Sequence, residues 1–356
     1  MAITLQFESA VRSRYSEAAG QKVEALCCPI EYDRQYLKVI PQEVIDRDYG
    51  CGDPSKHLKP GETVLDLGSG TGKICFIAAQ VVGPNGRVIG VDMNDDMLAM
   101  ARKYAPVVGQ AIGFNNVEFR KGRIQDLALD LEKLDAELKA NPIQDANSFL
   151  AAEALAAELR ITAPLIASDS IDVVVSNCVL NLVEPRAKRQ LFQEIFRVLR
   201  NGGRAVISDI VSGEAVPLDM QHDPELWSGC ISGALLEEDF MQAFVDAGFY
   251  GARLLKRDAQ PWRTVQGIEF RSVTIEAFKG EPGEGTERNQ TVIYKGPFKE
   301  VLDDQGHRLE RGRRLAVSDQ TFHRYGREPY RECFEFIASG ADPSTTGPCC
   351  NGSTCC

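Results

Sequence analysis

The apolar pattern of the chain changes character near residue 58. Before it, "SAVRSRYSEAAG" reads as an amphipathic helical start, and "IPQEVIDRDYGCGDPSKHLKP" as a helix-like front with a Gly/Pro-rich back. After it, "TVLDLGSGTG" is a strand running into a glycine turn. "KICFIAAQVVG" has helical periodicity and a stop at Gly83. "RVIGVDM" is a second strand, "NDDMLAMARKYAPVVG" a helix with Asn94 as N-cap, and "VEFRKG" a third strand. Strands alternating with helices predict a parallel sheet with right-handed crossovers.

Between residues 127 and 167 the pattern loosens into an Ala/Leu/Glu-rich stretch, read as one or two helices inserted at the sheet's rim and broken at Asn141–Pro142. "SIDVVVSNCV" is strand four. "EPRAKRQLFQEIFRVLRNGG" is a helix with Leu191, Ile195, Val198 and Leu199 on one face and Gly202 as its stop. "RAVISDIV" is strand five, followed by a helical excursion and two closing antiparallel strands, "ARLLKRDAQPW" and "FRSVTIEAFKG". Residues 280–290 read as a linker, the next segment as short strands with a turn at Asp304–Gly306, and residues 339–356 as a disordered tail. No internal repeat is visible.

Composition narrows the functional classes. The 356 residues suffice for a large domain and an appendage, and no apolar run approaches the ~20 residues of a membrane span. Net charge is −11, and the basic residues form no dense stripe, which argues against nucleic acid and anionic membranes as partners. "MAITLQFESAVRSRYSEAAG" carries no export pattern, so a cytoplasmic, reducing location is expected. There the eleven cysteines are expected to serve packing, metal or metalloid ligation, or redox chemistry, not structural disulfides. Four of them lie in the tail "CCNGSTCC".

Gly68, Gly70 and Gly72 follow strand one directly, and Asp92 closes strand two. Such a turn cradles a ligand at a helix N-terminus, and a strand-end acid accepts hydrogen bonds from ribose hydroxyls. The G-x-G-x-G spacing lacks the third spaced glycine of an NAD-binding Rossmann enzyme. The pairing resembles class I S-adenosylmethionine-dependent methyltransferases. Met93 and Ile124 are placed either to cover the two faces of an adenine or to pack in the core.

The stretch "SNCVLNL" puts Asn177 and Cys178 at the end of strand four, where ligand crevices of parallel sheets lie. Cys51 in "YGCGDP" and Cys230 in "WSGCISGA" have glycine neighbours that permit close backbone approach. Both segments are expected to fold over the same crevice, so three thiols converge. A structural zinc site wants a fourth protein ligand and close pairs such as C-x-x-C, and these three form no such pair. Trivalent arsenic takes three thiolates and keeps a lone pair. Cys75 and Cys333 read as packed residues, and Trp227 either as a core roof or as a cover over the arsenic site.

In order, "YGCG", "LDLGSGTG", "GVDM", "SNCVLNL", "RVLRNGG", "SD" and "WSGC" followed by "GA" resemble the arsenite S-adenosylmethionine methyltransferases, from about Tyr15 to Lys279 and more weakly beyond. The resemblance implies an α/β fold: a Rossmann-like class I methyltransferase sheet with helical insertions and a small C-terminal α+β domain. It implies Cys51, Cys178 and Cys230 as arsenic ligands, Tyr49 against the cofactor with Asn177 beside its methyl, and Cys27 or Cys28 in disulfide chemistry. It also implies S-adenosylmethionine as methyl donor, arsenite or its thiol conjugates as acceptor, and thioredoxin or glutathione as reductant, in a monomeric detoxification enzyme. Two departures stand out: the insertion is longer than usual, and "GKICF" replaces the commoner Arg-Asp pair. The expected divisions are a helical segment carrying YGCG (1–57), the cofactor domain (58–213), an arsenic-binding and sheet-closing region (214–280), a small domain (281–338) and the tail (339–356). The rival expectations are a methyltransferase of a small organic acceptor such as a quinone or sterol, and a non-enzymatic metalloid or zinc buffer.

Overall fold

A computed structural model describes residues 2–20, 23, 30–47, 49–280 and 290–338. Cys27, Cys28 and the tail cysteines lie outside the described residues. The chain divides into two units, residues 1–279 and 280–356. Among the described residues no helix is long and apolar enough to cross a membrane.

Unit one opens with α1 (Ala2–Gly20), α2 (Arg34–Leu37) and α3 (Gln42–Asp46). β1 (Thr63–Leu67), α4 (Lys73–Val82), β2 (Arg87–Asp92), α5 (Asp95–Ile112) and β3 (Val117–Lys121) follow. The insertion forms α6 (Leu131–Ala140) and α7 (Ala146–Thr162). Then come β4 (Ile171–Asn177), α8 (Pro185–Val198), β5 (Leu199–Ser212), α9 (Leu218–Gln221), α10 (Pro224–Ser228) and β6 (Leu235–Leu236). α11 (Glu237–Asp246), β7 (Tyr250–Arg257), β8 (Arg263–Val265) and β9 (Ile268–Phe278) close the unit.

The main sheet runs β3-β2-β1-β4-β5-β9-β7, with β6 beside β5 and β8 beside β9. β1 to β5 are parallel, while β9 runs antiparallel to both β5 and β7. Helices cover both faces, which is why the central strands read as unbroken apolar runs. Val64, Val88, Val173 and Val175 pack with Ile74, Phe76 and Leu98 on one face. Leu65, Leu67, Ile89 and Val174 pack with Leu191, Phe192, Ile195 and Phe244 on the other. Strand order reverses between β1 and β4, so a crevice opens at their carboxyl ends.

Two local expectations need refinement. α8 ends at Val198, not at Gly202, because Leu199 is already extended (φ −67°, ψ 137°) and pairs with Ile171. Gly202 instead turns the chain at φ 78° and donates its N–H to Lys279 O at 2.9 Å. The insertion is a two-helix hairpin in which neither helix buries a residue. Backbone bonds from Leu165 to Ala128 (3.1 Å) and Ile166 to Leu127 (2.9 Å) pinch its neck, so the sheet does not depend on the hairpin's length.

Unit two contains β10 (Gln290–Tyr294), the hairpin of β11 (Glu300–Leu302) and β12 (Arg308–Glu310), β13 (Arg314–Val317), α12 (Asp319–Tyr325) and β14 (Phe334–Ile337). β13-β10-β14 form an antiparallel sheet around Val292, Tyr294, Tyr325 and Phe334. Tyr325 stacks on Phe334 with centroids 4.3 Å apart and donates its hydroxyl to Asp303 at 2.5 Å. His307 Nδ1 lies 2.9 Å from the same carboxylate. Burial pushes the Asp303 carboxyl up, but the Tyr325 and His307 hydrogen bonds outweigh it and hold it below its ordinary value. A depressed folded pKa gives stability that is complete above the unfolded value of about 3.9 and lost as pH falls through the folded one. Amide protection factors in peptides from residues 290–338, referred to the intrinsic exchange rate at each pH, should therefore fall on acidification below about pH 4. The Asp303→Asn protein should show a weaker acid dependence, and an unchanged profile would remove Asp303 from the unit's acid response.

Candidate active site

The crevice at the switch point is a cavity lined by Gly68, Ser69, Gly70, Asp92, Met93 and Ile124 and also by Asn177 and Cys178. Phe7, Val11 and Tyr15 line it from α1, and Tyr49 lines it too. The glycine turn needs its glycines: φ is 68° at Gly68, 51° at Gly70 and 91° at Gly72, where side chains are strained. Gly68 and Ser69 donate their N–H groups to Val91 O, and Gly70 N–H donates to Asp92 Oδ2 at 2.8 Å. Asn94 N–H donates to the other Asp92 oxygen at 2.8 Å. Burial raises the Asp92 carboxyl above its ordinary value, against the pull of these backbone bonds. Ser69 Oγ is buried at the cavity with no partner among the described residues, so the wall presents a hydroxyl that a polar ligand can satisfy.

At the other end the structure brings Cys51, Cys178 and Cys230 into one buried cluster with Ile210, Val216 and Phe270. Asn177 holds the first of them. Its Oδ1 accepts from Cys51 N and Gly52 N, both at 2.9 Å, and its Nδ2 donates to Gly52 O at 2.8 Å and Tyr32 Oη at 3.2 Å. A Cβ at residue 50 would sit 2.2 Å from the Asn177 amide, and one at residue 52 would sit 2.4 Å from Ser208 Oγ. The glycines flanking Cys51 thus let the loop reach the sheet. Asn177 lines the cavity as well, with its amide committed to this loop.

Cys178 and Cys230 are both left-handed, at φ 65° and 60°. Only Asp169 and Gln266 share that conformation among the described non-glycine residues. Such positions cost on the order of 1–3 kcal/mol each and concentrate at functional sites. The thiol of Cys230 donates to Cys178 O at 3.0 Å and lies 3.9 Å from Tyr15 Oη. The Cys51 and Cys178 sulfurs and a carboxylate oxygen of Asp209 lie within 4.8 Å of one another. For Cys178, the hydrogen bond from Cys230 pulls the pKa down, but the Cys51 contact and burial carry it well above the ordinary value. The contact with Cys178 and burial raise Cys230 likewise. Cys178 and Cys230 are therefore held as neutral thiols.

Sequence reading did not single out several neighbours. Asp209, in the quoted "SD", is buried and accepts from Leu180 N (2.9 Å) and Ile210 N (2.7 Å). Burial raises its pKa to about 6 and lowers that of buried Lys188 to about 8. Phe7, Val11, Tyr15 and Ala18 follow an i, i+4, i+8, i+11 spacing, a helical stripe that could have identified the roof from the sequence. Phe7 stacks on Trp227 at 4.7 Å, and the Trp227 indole donates to Leu182 O at 3.1 Å. Tyr49 Oη donates to Ala18 O at 3.2 Å, which ties the YGCG loop to α1. Cys75 lies in the α4 core with its thiol 3.2 Å from Asp66, and Cys333 packs against the core of unit two.

The sheet order and the glycine turn define a class I methyltransferase, and residues 58–248 match the family described as a methyltransferase domain. Residues 281–354 match a domain of unknown function. The chain is 32% identical to the arsenite methyltransferase of Mus musculus, over 82% of this chain and 70% of that protein. It is 31% identical to the arsenite methyltransferase of Aquipseudomonas alcaligenes, over 87% and 84%. The chain belongs to the arsenite methyltransferase family. The solved structure of an arsenic(III) S-adenosylmethionine methyltransferase from Chlamydomonas reinhardtii matches with a TM-score of 0.57 at 27% identity, covering 88% of this chain and 98% of that one.

The Asn177 amide gives a direct test. Asn177→Ala leaves the buried Cys51 and Gly52 N–H groups unpaired, at about 1–3 kcal/mol for each buried group. Urea denaturation should show a loss of a few kcal/mol. A midpoint equal to the parent's would mean that other groups hold the loop.

Proposed function

We propose that this chain transfers methyl groups from S-adenosylmethionine to trivalent arsenic held by Cys51, Cys178 and Cys230. The observation that carries the reading is the convergence of these three buried thiols, one of which, Cys178, lines the same cavity as the glycine turn and Asp92.

The chemistry of the cavity walls fits the donor. Gly68, Ser69 and Gly70 would hold its amino-acid end, with the unpartnered Ser69 hydroxyl satisfied there, and the Asp92 carboxylate would accept from the ribose hydroxyls. Met93 and Ile124 would flank the adenine. Bound there, S-adenosylmethionine supplies an electrophilic methyl group on a sulfonium sulfur.

Neutral thiols suit arsenic delivered as its trihydroxide. Three As–O bonds break and three As–S bonds form, and each thiol proton leaves with one hydroxide as water. No charge is buried in the exchange, which a low-dielectric pocket favours. The arsenic lone pair carries no proton, so methyl transfer needs no general base, and the chain's task is positioning. A methyl group gained this way takes arsenic formally to the pentavalent state. A thiol reductant, thioredoxin or glutathione, then restores the trivalent form for a further turnover.

Labelled methyl donor, arsenite and a thiol, incubated with the full chain, should yield labelled methylarsenicals after chromatographic separation. Cys178→Ser should lower this turnover at least 100-fold, because a hard hydroxyl is a poor partner for a soft acceptor. Cys75→Ser should stay near the parent rate. A Cys178→Ser protein that melts early yet methylates at the parent rate would make this cysteine packing alone.

Asp92→Ala should weaken donor binding about tenfold or more, through loss of a charge-assisted contact of roughly 1.5–3 kcal/mol, while arsenite binding persists. Calorimetry showing unchanged donor affinity would take Asp92 out of the site.

A further inference from the structure

The three-thiol cluster has a fourth group that arsenic does not need. The Asp209 carboxylate is buried, and one of its oxygens lies within 4.8 Å of the Cys51 and Cys178 sulfurs. An arsenic atom bound by three thiolates is neutral and presents a lone pair in the remaining direction. It gains nothing from a carboxylate. A borderline-soft divalent cation is different, since zinc fills a tetrahedron with sulfur and oxygen donors.

We propose that the pocket is also a zinc site, with Cys51, Cys178, Cys230 and Asp209 as its four ligands, and that zinc bound there competes with arsenite. The proposal rests on the three-cysteine reading above and adds one ligand and one class of cation to it. With Zn–S distances of about 2.3 Å, sulfurs in a tetrahedral site stand about 3.8 Å apart. The Cys51 and Cys178 sulfurs and one Asp209 oxygen already lie within 4.8 Å of one another, so a shift on the order of 1 Å or less brings these three to ligating distance, and Cys230 joins them by releasing its backbone acceptor. Cys230 stands next to it, with its sulfur 3.0 Å from Cys178 O.

Asp209 is prepared for ligation. Its oxygens accept backbone N–H groups from Leu180 at 2.9 Å and from Ile210 at 2.7 Å, and the Asn181 N–H is a third donor. A carboxylate has about four lone-pair directions, so about one remains for a metal. These backbone donors orient the group as outer-shell partners do in metal sites. Three thiolates and a carboxylate around Zn²⁺ leave a local charge of −2, and the Lys188 ammonium, buried and interacting with both Asp209 and Cys230, offsets part of it. Zinc binding expels three thiol protons to solvent, whereas arsenic trihydroxide takes them up as water.

The test uses the full chain with Cys27, Cys28, Cys349, Cys350, Cys355 and Cys356 changed to serine, so that other thiols do not report. Cobalt(II) is the optical probe for zinc. One equivalent should give tetrahedral absorption with thiolate charge transfer, zinc should bleach it, and arsenite should displace it one for one. In steady state, with the parent chain that keeps Cys27 and Cys28, zinc should raise the apparent KM for arsenite with little change in kcat. Asp209→Asn should lower zinc affinity at least tenfold relative to arsenite affinity. A variant in which both affinities stay or fall together would overturn the proposal. If that variant does not fold, infrared difference spectra of the ¹³C-aspartate-labelled protein replace it: a carboxylate band that shifts on zinc loading supports ligation, and an unshifted one overturns it. Arsenite binding without cobalt binding sinks the zinc site alone. Failure of both ligands to bind sinks the three-cysteine reading with it.

Discussion

The side-chain amide of Asn177 is the contact on which the cysteine cluster depends. One oxygen takes the N–H groups of both Cys51 and Gly52, and the amide nitrogen returns to Gly52 O. These bonds bring a loop from ahead of the sheet down to the end of β4, so two thiols more than a hundred residues apart in the chain become neighbours. Asparagine suits the task because its amide donates and accepts in one plane, as a peptide group does. Glycine on either side of Cys51 is the complementary requirement, because a Cβ at either position would overlap Asn177 or Ser208.

Burial then sets the chemistry of the cluster. Contacts among the thiols, together with burial beside apolar neighbours such as Ile210 and Phe270, raise Cys178 and Cys230 above their ordinary values. The ionisable pair alongside, Asp209 and Lys188, is pushed toward neutrality from both directions by the same burial. Left-handed backbone at Cys178 and Cys230 turns both sulfurs toward one centre, and the surrounding hydrogen bonds maintain that arrangement.

α1 joins the two ends of the cavity. Arg14 donates to Glu225 O and Ser228 Oγ in α10, beside Cys230, while the Asn94 amide, next to Met93, donates to Arg12 O and Ser16 Oγ. One helix is thus bonded both beside the glycine turn's strand-end acid and beside the thiol cluster.

Local sequence determined what depends on local physics. Gly68, Gly70 and Gly72 announce a turn with positive φ, and the valine-rich runs of β1, β2 and β4 announce strands buried on both faces. Asn94 announces a helix start, and it caps α5 by accepting from Asp96 and Met97 N–H. The end of α8 was misplaced because Leu199 carries the helix's apolar period, yet pairing with Ile171 draws it into β5. Asp209 and Lys188 had no readable role, since an acid in a strand and a lysine on a helix look ordinary one at a time. Only the tertiary structure decided that they surround the three thiols, because contacts between residues 15, 51, 178, 209 and 230 arise from the sheet's crossovers and have no period along the chain.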